Sequence, residues 1–192
     1  MSGDGARNIV LGGLMGTGKT TLARRLAVRL GRQWLDTDAL VAQRAGCSIA
    51  QLFARRGEEA FRELEREVVA EAAELRRHIV SLGGGVLLDG GNVELLRAGG
   101  VVVLLVGDVA VLAERVTRAG VARRPLLAGE TDVHGRLERL AGERRVAFEA
   151  AADHVEDTTD GRSADAIAAS IVAWAATRPD VLTPGERKAV AA

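Results

Sequence analysis

Cysteine and aromatic residues are almost missing from this chain of 192 residues. Cys47 is its only cysteine, which excludes an intrachain disulfide or a cysteine metal cluster and makes a reducing cytoplasm the expected environment. Aromatic residues make up 3% of the chain, too few to build a surface on which nucleic-acid bases stack. Lys+Arg and Asp+Glu both number 26, so no net positive charge attracts nucleic acid or an anionic membrane. We therefore expect neither as a partner.

Lysine and long hydrophobic runs are also scarce. The longest apolar runs, such as 101–106, are far too short to span a bilayer. Lysine occurs only at positions 19 and 188, and all other cations are arginines, so Lys19 stands out. Residues 178–192 hold two of the three prolines and show no apolar periodicity. This pattern predicts one domain over 1–177, followed by a loose C-terminal tail.

What the chain does contain is an alternation of short apolar segments and amphipathic ones. Strands are predicted at 8–12, 33–35, 78–82, 101–106 and 154–155. Helices are predicted at 19–30, 48–55, 58–77, 93–97, 109–118, 132–151 and 164–176. Strands that alternate with helices, and that are apolar without interruption, indicate an α/β fold whose parallel sheet is covered on both faces. Ligands of such sheets bind beyond the carboxyl ends of the strands.

A glycine-rich turn between the first strand and the first helix matches the phosphate-loop pattern G-x-x-x-x-G-K-[ST] at 13–20. Its glycines let main-chain N–H groups point at phosphate oxygens, and the helix that follows directs its positive end at the same anion. Lys19 can bridge the β- and γ-phosphates of a nucleotide, and Thr20 can offer its hydroxyl to Mg²⁺. The residues predicted to bind ATP here are Gly13, Met15, Gly16, Thr17, Gly18, Lys19, Thr20 and Thr21. The N/T-K-x-D motif with which GTPases read guanine is missing.

Two aspartates follow the second predicted strand, with one residue between them. If this segment stays extended, Asp36 and Asp38 point in opposite directions, so that one can face a metal ion while the other faces an acceptor hydroxyl. The alternative is that one or both of them cap the helix that follows.

An arginine and a run of three glycines are further candidates for the acceptor site, and the glycines fall on the same edge of the sheet as the phosphate loop and the two aspartates. Arg62 lies three residues before Glu65 on a predicted helix, a spacing at which Glu65 can hold the guanidinium as a fork for a substrate carboxylate. The simpler interpretation is a solvated surface pair. Gly83, Gly84 and Gly85 follow the third predicted strand and let a ligand approach the backbone closely, unless they form a plain flexible turn.

Arginines are concentrated between residues 115 and 144. Gly120 and Gly129 flank the segment 123–127, and this composition is typical of a hinged lid that carries cations over a polyphosphate. We expect a mobile lid over about 119–130, with two or three of the arginines functional and the others solvated.

Taken together, these motifs resemble the shikimate kinase family. The resemblance runs from about residue 9 to about residue 158. Its elements, in order along the chain, are 13–20, 36–38, 57–65, 83–85 and 124–127. It implies a P-loop NTPase fold of the nucleoside-monophosphate-kinase type, with a five-stranded parallel sheet and a mobile lid. It also implies transfer of a phosphoryl group from MgATP to the 3-hydroxyl of shikimate in aromatic amino-acid biosynthesis. A monomer is expected.

The resemblance also implies roles for individual residues. Lys19, Asp38 and Arg124 would carry catalysis, with Asp38 orienting the acceptor hydroxyl and Arg124, in the lid, approaching the transferring phosphate. Arg118 would stack on the adenine of ATP, and Asp36 would serve the Mg²⁺ shell through water.

The acceptor side follows from the same resemblance and would occupy about 38–77. Arg62 and Arg144 would grip the carboxylate of shikimate. Phe53 and Phe61 would wall its ring, although periodicity alone places them simply in the core. The predicted substrate-binding residues are Asp38, Phe53, Phe61, Arg62, Gly83, Gly84, Gly85 and Arg144.

Three alternatives stay open at this point. Val146 and Phe148 stand where the family pattern R-x-P-x-Y has its proline and tyrosine after Arg144, so Arg139 or Arg145 could grip the carboxylate instead. A kinase for another small hydroxy acid, such as gluconate, would use the same loop and sheet. A non-catalytic ATP-binding regulatory protein would keep the pocket without turnover.

Overall fold

The computed structural model describes residues 6–120, 127 and 130–191. Five parallel strands form one sheet: β1 (Asn8–Gly13), β2 (Gln33–Asp36), β3 (His78–Ser81), β4 (Gly100–Val106) and β5 (His154–Asp157). Their spatial order is β2-β3-β1-β4-β5, which places β1 in the centre. The predicted five-stranded parallel sheet is therefore confirmed.

Helices connect these strands within the described ranges. They are α1 (Lys19–Leu30), α2 (Thr37–Ala45), α3 (Ile49–Glu74), α4 (Gly90–Gly99), α5 (Val109–Ala119), α6 (Val133–Ala151), α7 (Ala164–Ala176) and α8 (Pro184–Ala191). A short 3-10 helix, Val86–Leu88, follows β3. Among these described helices, none has the length and apolar character that a membrane span requires.

The side chains of β1 alternate between the two faces of the sheet, and both faces are covered. Ile9 and Leu11 are fully buried on one face, in a core that includes Leu26 of α1 and Ile171 of α7. Val10 is buried in a separate core on the other face, which includes residues of α3, α4 and α6. Because helices exclude water from both faces, the central strands read as continuous apolar runs.

A kink at Gly57 separates α3 into two helical halves, as the sequence predicts. Ser48 begins it with a capping box that involves Gln51. Gly57 then takes φ 80° and ψ 176°, a non-helical conformation, so the two helices predicted on either side of it join at a kink. Phe53 before the kink and Arg62 after it line the same cavity, so both halves of α3 contribute to one site.

The C-terminal residues are docked on the domain, which corrects the prediction of a loose tail over 178–192. Val181 and Leu182 are 0% and 1% exposed and belong to the core beneath α1 and α7. Thr183 and Glu186 form a reciprocal capping box, in which each side chain accepts the main-chain N–H of the other. Pro184 occupies the first position of α8, where a missing N–H leaves no hydrogen bond unmade. Two buried apolar side chains and a well-capped helix therefore order this segment.

An ion cluster at the amino-terminal edge of the sheet fastens the segment, and we name it the C-terminal clasp: Arg7, Arg32, Arg77, Asp180 and Glu186. The three arginines directly precede β1, β2 and β3. Glu186 binds Arg32 at 2.8 Å and Arg77 at 3.3 Å, whereas Asp180 binds Arg7 at 3.1 Å. Arg32 also donates to the main-chain oxygen of Arg7 at 2.9 Å. The clasp thus ties together the starts of three strands.

Burial makes the central pair of the clasp costly to break. The side chains of Arg32 and Glu186 are 0% and 7% exposed. Although burial opposes ionisation, the hydrogen bonds from Arg32 lower the pKa of Glu186 from 4.5 to about 2. Because the folded-state pKa is the lower one, the stabilisation is fully present above pH 4.5 and is lost as the pH falls toward 2.

Glu186→Gln leaves the Arg32 guanidinium buried without its counter-ion. We expect the free energy of unfolding at pH 7, measured with urea, to fall by about 3 kcal/mol. The difference from the wild type should shrink below pH 4.5, where Glu186 of the unfolded wild-type chain begins to take up a proton while the folded carboxylate stays ionised. The control is Arg25→Gln, which breaks an exposed ion pair with Asp165 and should cost no more than about 1 kcal/mol. Equal losses in the two variants would contradict the role of the clasp.

Candidate active site

Close packing at two glycines shapes the loop between β1 and α1. Gly13 and Gly16 have φ values of 135° and 88°, a region that favours glycine. A Cβ on Gly13 would lie 2.3 Å from the main-chain oxygen of Leu105 in β4, and one on Gly16 would lie 2.8 Å from that of Leu112 in α5. The loop is therefore wedged between β4 and α5, and a larger residue fits at neither position.

Lys19 and Thr17 bind oxygens of the loop itself. The Lys19 ammonium donates to the main-chain oxygens of Gly13 at 2.8 Å and Leu14 at 3.0 Å. The Thr17 hydroxyl is buried and donates to the oxygen of Leu14 at 2.7 Å. The Thr17 side chain thus maintains the shape of the loop and leaves its main chain to meet a ligand.

A cavity of about 500 Å³ opens beside this loop and extends to the residues predicted for the acceptor. The predicted residues that line it are Met15, Gly16, Gly18, Lys19, Thr20, Thr21, Asp36, Asp38, Phe53, Phe61, Arg62, Gly84 and Gly85. Other described residues that line it are Ile49, Glu65, Ser81, Leu82, Arg115 and Ala119. The structure therefore brings the nucleotide loop and the acceptor residues to one site.

Oxygen atoms from three elements meet at one part of this wall. The Thr20 hydroxyl donates to Oδ2 of Asp36 at 2.8 Å, and the Ser81 hydroxyl donates to the same atom at 3.0 Å. Asp36 ends β2, Ser81 ends β3, and Thr20 lies in the first turn of α1. Neighbouring strand ends therefore build a cluster of hard oxygen ligands, the type that Mg²⁺ prefers.

The segment with the two aspartates is helical rather than extended, so for Asp36 the alternative, a helix cap, is the one observed. Helix α2 begins at Thr37, and Oδ1 of Asp36 caps it by accepting the N–H of Ala39 at 3.3 Å. Because Oδ2 of Asp36 receives the two hydroxyls, capping and the oxygen cluster occur together. Asp38 lies in the first turn of α2 and still lines the cavity. The hydrogen bond that the cap makes explains why the chain turns into a helix here.

Asp38 is half-buried beside the first of the three glycines. A Cβ on Gly83 would lie 2.3 Å from Oδ1 of Asp38, so Gly83 makes room for that carboxyl group. Burial, and after it the charges of Asp36 and Glu65, raise the pKa of Asp38 from 3.8 to about 6, although two nearby cations act in the opposite direction. Asp38 is therefore ionised at pH 7 and above, and holds a proton in mildly acid solution.

Two carboxylates of α3 hold Arg62 in place. Its guanidinium donates to Glu65 at 2.7 Å and to Glu58 at 3.0 Å. Glu65 is only 3% exposed, so this pair is not the solvated surface pair of the simpler interpretation. A Cβ on Gly85 would lie 2.8 Å from Nη1 of Arg62. The third glycine thus makes room for Arg62 as the first does for Asp38.

Arg144, on α6, lies next to this site. It is 6% exposed and donates to the main-chain oxygen of Gly84 at 2.7 Å, directly behind the cavity wall. Burial, and after it the charge of Arg62, lower the pKa of Arg144. Arg139 and Arg145 instead form exposed ion pairs with glutamates. The geometry therefore favours Arg144 over both alternatives.

Two aromatic rings of α3 form an apolar part of the wall. The ring centroids of Phe53 and Phe61 lie 4.8 Å apart. The guanidinium of Arg62 lies 5.2 Å from the Phe61 ring, within the range of a cation–π contact. Phe61 also belongs to a small core cluster under α2 and α3, so a place in the core and a place in the wall are compatible.

Two arginines, Arg118 and Arg124, are predicted to bind the nucleotide, and the described structure does not bring either of them to the cavity. The Arg118 side chain is 74% exposed and pairs with Glu114, and among the described residues it does not line the cavity. Arg124 lies outside the described residues, because residues 121–126 are not among them. Residues 128 and 129 of the predicted lid also lie outside the described residues. The roles of Arg118 and Arg124 stay predictions.

Two polar residues of the wall, Ser81 and Arg115, have no role predicted from the sequence. Ser81 has a readable signal, because it is a hydroxyl residue at the carboxyl end of a strand, directly before Leu82 and the glycines. Arg115 has none, since its hydrogen-bond partners Gly16 and Thr158 lie 99 and 43 residues away in sequence.

The central strand, the glycine-rich loop and the helix that follows it, within a five-stranded parallel sheet, define the class of P-loop NTPase folds. Comparison with known proteins narrows this class. The family model described as shikimate kinase matches residues 15–176. The chain therefore belongs to the shikimate kinase family.

Individual relatives agree with this assignment. The chain is 48% identical over 165 residues to a shikimate kinase of Symbiobacterium thermophilum, a match that covers 86% of this chain and 94% of the relative. It is 46% identical over 168 residues to one of Moorella thermoacetica, with 85% and 91% covered. A solved shikimate kinase from Acinetobacter baumannii in complex with shikimate has a TM-score of 0.84 at 31% identity, and the match covers 91% of this chain and 95% of that one.

The raised pKa of Asp38 means that its charge lowers stability. Because the folded-state pKa is above the unfolded one, this cost is absent below about pH 3.8, grows up to about pH 6 and is full above that. We expect Asp38→Asn to raise the free energy of unfolding at pH 7.5 by about 3 kcal/mol, roughly two pKa units of about 1.4 kcal/mol each.

Urea unfolding at pH 7.5 and pH 4 measures this effect, and the variant and the wild type should be nearly alike at pH 4. Glu94→Gln, on the exposed side of α4, is the control. It should leave the free energy of unfolding unchanged at both pH values. An Asp38→Asn protein that is less stable than the wild type at pH 7.5 would refute the expectation.

Proposed function

We propose that the protein transfers the γ-phosphoryl group of ATP to the 3-hydroxyl of shikimate, giving shikimate 3-phosphate and ADP, a step of aromatic amino-acid biosynthesis. One observation carries the proposal: a single cavity joins a phosphate loop to Asp38 and Arg62, with Arg144 directly behind its wall. The names of relatives matched over nearly their whole length, and the shikimate bound to a structural neighbour, support this acceptor.

The phosphate loop supplies the nucleotide side. Its main-chain N–H groups and the positive end of α1 attract the phosphates. Lys19 lines the cavity, and it would exchange its contacts with loop oxygens for contacts with the β- and γ-phosphates. Arg118 would stack on adenine. Arg124, in a mobile lid over about 119–130, would reach the transferring phosphate.

The oxygen cluster fits Mg²⁺. Thr20 and Asp36 offer a hydroxyl and a carboxylate, directly or through water, and Ser81 holds that carboxylate in place. In the part of the chain that the structure describes, no group of three or more His, Cys, Asp or Glu could hold an ion by itself. The ion would share its coordination with phosphates and water, as Mg²⁺ usually does. When bound, Mg²⁺ neutralises charge on the phosphate oxygens.

The acceptor side suits a carboxylate with a hydroxyl nearby. Arg62 and Arg144 come together at the triple glycine and would bind the carboxylate with two planar forks. Glu65 keeps Arg62 oriented before a substrate arrives, which reduces the entropy lost on binding. Phe53 and Phe61 would cover the ring of the acid.

Asp38 would align the hydroxyl for attack. Its carboxyl group, with a pKa of about 6, is ionised at neutral pH, so it can accept a hydrogen bond from the hydroxyl and then its proton as the new O–P bond forms. Phosphoryl transfer otherwise requires positioning and neutralisation of charge more than covalent chemistry. Closure of a lid would exclude water, which competes with the acceptor.

We place this activity in the cytoplasm and in a monomer. A chain with Cys47 as its only cysteine suits a reducing compartment. The acceptor-binding region of about 38–77 comprises α2 and α3, which pack on the same domain as the phosphate loop.

The acceptor can be tested by coupled ADP release with ATP and, in turn, shikimate, quinate, gluconate or a nucleoside monophosphate. We expect rapid turnover with shikimate and little with the others, because Arg62 and Asp38 line one cavity and Arg144 lies directly behind its wall. If turnover is faster with gluconate than with shikimate, the acceptor is another hydroxy acid and not shikimate. ATP binding without turnover on any acceptor would indicate a non-catalytic protein.

Arg62→Ala removes one of the two guanidinium groups that would bind the carboxylate of shikimate. We expect KM for shikimate to rise roughly 30- to 150-fold, because the lost charge-assisted hydrogen bonds are worth about 2–3 kcal/mol. KM for ATP should change little. The matched control is Arg66→Ala, four residues further along α3, whose side chain is 51% exposed and lies 3.7 Å from Asp89. If KM for ATP rises instead, the carboxylate role of Arg62 is wrong.

A further inference from the structure

The threonine between the two aspartates lies behind the wall of the site. Thr37 is 1% exposed, and among the described residues it is not part of the cavity wall, whereas Asp36 and Asp38 are. Its hydroxyl accepts the main-chain N–H of Gly83 at 2.8 Å, although the two residues are 46 positions apart in sequence. One buried side chain therefore joins the start of α2 to the first of the three glycines.

The register of the sheet explains why a side chain is needed at this point. Strands β2 and β3 end side by side. The residue after β3, Leu82, donates its N–H toward β1, to the oxygen of Leu11 at 3.0 Å. Because alternate residues of a parallel strand bind opposite neighbours, the N–H of Gly83 faces β2. If β2 continued by one residue, the acceptor of this N–H would be the main-chain oxygen of Thr37.

Helix α2 removes that acceptor, and the hydroxyl replaces it. Because α2 begins at Thr37, the main-chain oxygen of this residue is directed along the helix, toward the N–H groups of the next turn. The Gly83 N–H would then be buried without a partner, which folded proteins avoid. The Thr37 hydroxyl thus extends the pairing of β2 with β3 by one step beyond the strands.

The glycine that is held in this way packs against Asp38. A Cβ on Gly83 would lie 2.3 Å from Oδ1 of Asp38, the residue directly after Thr37. Two residues further on, a Cβ on Gly85 would lie 2.8 Å from Nη1 of Arg62. The hydrogen bond from Gly83 to Thr37 therefore fixes the glycines relative to the helix that carries Asp38, and through them relative to Arg62.

We propose that Thr37 is a positioning residue for the acceptor, which holds the triple glycine against α2 and so sets the spacing of Asp38 and Arg62. Because Thr37 is buried behind the wall, it acts through Gly83 and not by touching the acceptor. Spacing matters here, since a displacement of about 1 Å at a site of group transfer can cost about 100-fold in rate. The inference rests on the proposed function as far as this wall binds an acid acceptor, and it does not concern the nucleotide.

Thr37→Val keeps the shape of the side chain and removes the acceptor of the Gly83 N–H. We expect kcat with ATP and shikimate to fall about tenfold and KM for shikimate to rise about threefold, because Asp38 and Arg62 lose their fixed spacing. ADP affinity, measured by titration calorimetry, should stay at the wild-type value. Thr37→Ser keeps the hydroxyl and should restore kcat to within about twofold of the wild type.

The matched control for these kinetics is Thr183→Val. It also removes a hydroxyl that accepts a main-chain N–H, that of Glu186 at 3.1 Å, but at the start of α8. Its melting temperature should fall, as that of Thr37→Val should, because both variants lose a hydrogen bond. Its kcat and KM should remain those of the wild type.

Hydrogen exchange of the ligand-free protein tests the same claim without an acceptor. The N–H groups of Val86 and Leu88 bind the oxygens of Gly83 and Gly85 at 3.4 and 3.0 Å, so they report on the glycines beyond the bond that is removed. In Thr37→Val we expect both to exchange about tenfold faster relative to the N–H groups of β4, which open only with the whole fold. In Thr37→Ser both should exchange at the wild-type rate.

The opposite results are distinct. Wild-type kcat and KM for shikimate in Thr37→Val would overturn the proposal even if the melting temperature falls, because Thr37 would then be purely structural. Unchanged exchange at Val86 and Leu88 would also overturn it. A wild-type protein that does not phosphorylate shikimate would refute the proposed acceptor alone, and the exchange rates would still decide whether Thr37 holds the glycines in place.

Discussion

Opposite charges packed side by side at the carboxyl edge of the sheet are the interaction on which the site depends. Asp36, Asp38 and Glu65 bring three carboxylates into one wall, where burial makes the charges of Asp38 and Glu65 costly. Lys19 and Arg62 offset part of this cost, since both stabilise the ionised form of Asp38. A nucleotide and an acid acceptor would need the same two cations. The groups that hold the pocket together are therefore the groups that its function would use.

The two edges of the sheet contribute to stability in opposite ways. At the carboxyl edge, the ionised form of Asp38 lowers the stability of the fold, because burial raises the pKa of this carboxyl group to about 6. At the amino edge, the clasp ties β1, β2 and β3 together through the buried pair of Arg32 and Glu186. The shikimate kinase family model matches this chain only as far as residue 176. Asp180 and Glu186, the two acidic residues of the clasp, therefore lie beyond the matched part of the chain. Stability gained far from the site allows the site to keep its unfavourable charge.

Distance along the chain decides how much of this structure is predictable from sequence. The phosphate loop and the helix at 19–30 are predictable because their residues are contiguous, and α1 has the predicted bounds. Pairs that are far apart are not, since Arg32 meets Glu186 across 154 residues and Arg115 meets the loop across 99. The C-terminal segment is intermediate. Its helix start is readable as a capping box at 183–186, but no local pattern shows that the same glutamate has a buried partner.

The three glycines after β3 limit how such a pocket can change in evolution or by design. Gly83 leaves room for Asp38, and Gly85 leaves room for Arg62, so each is matched to a side chain from another helix. Only Gly84, whose added Cβ would lie 3.7 Å from Arg144, has space for a methyl group. A side chain at either outer position displaces its partner before it can contact a new acid. A different acceptor specificity at this wall therefore requires paired replacements, which arise far less often than single ones.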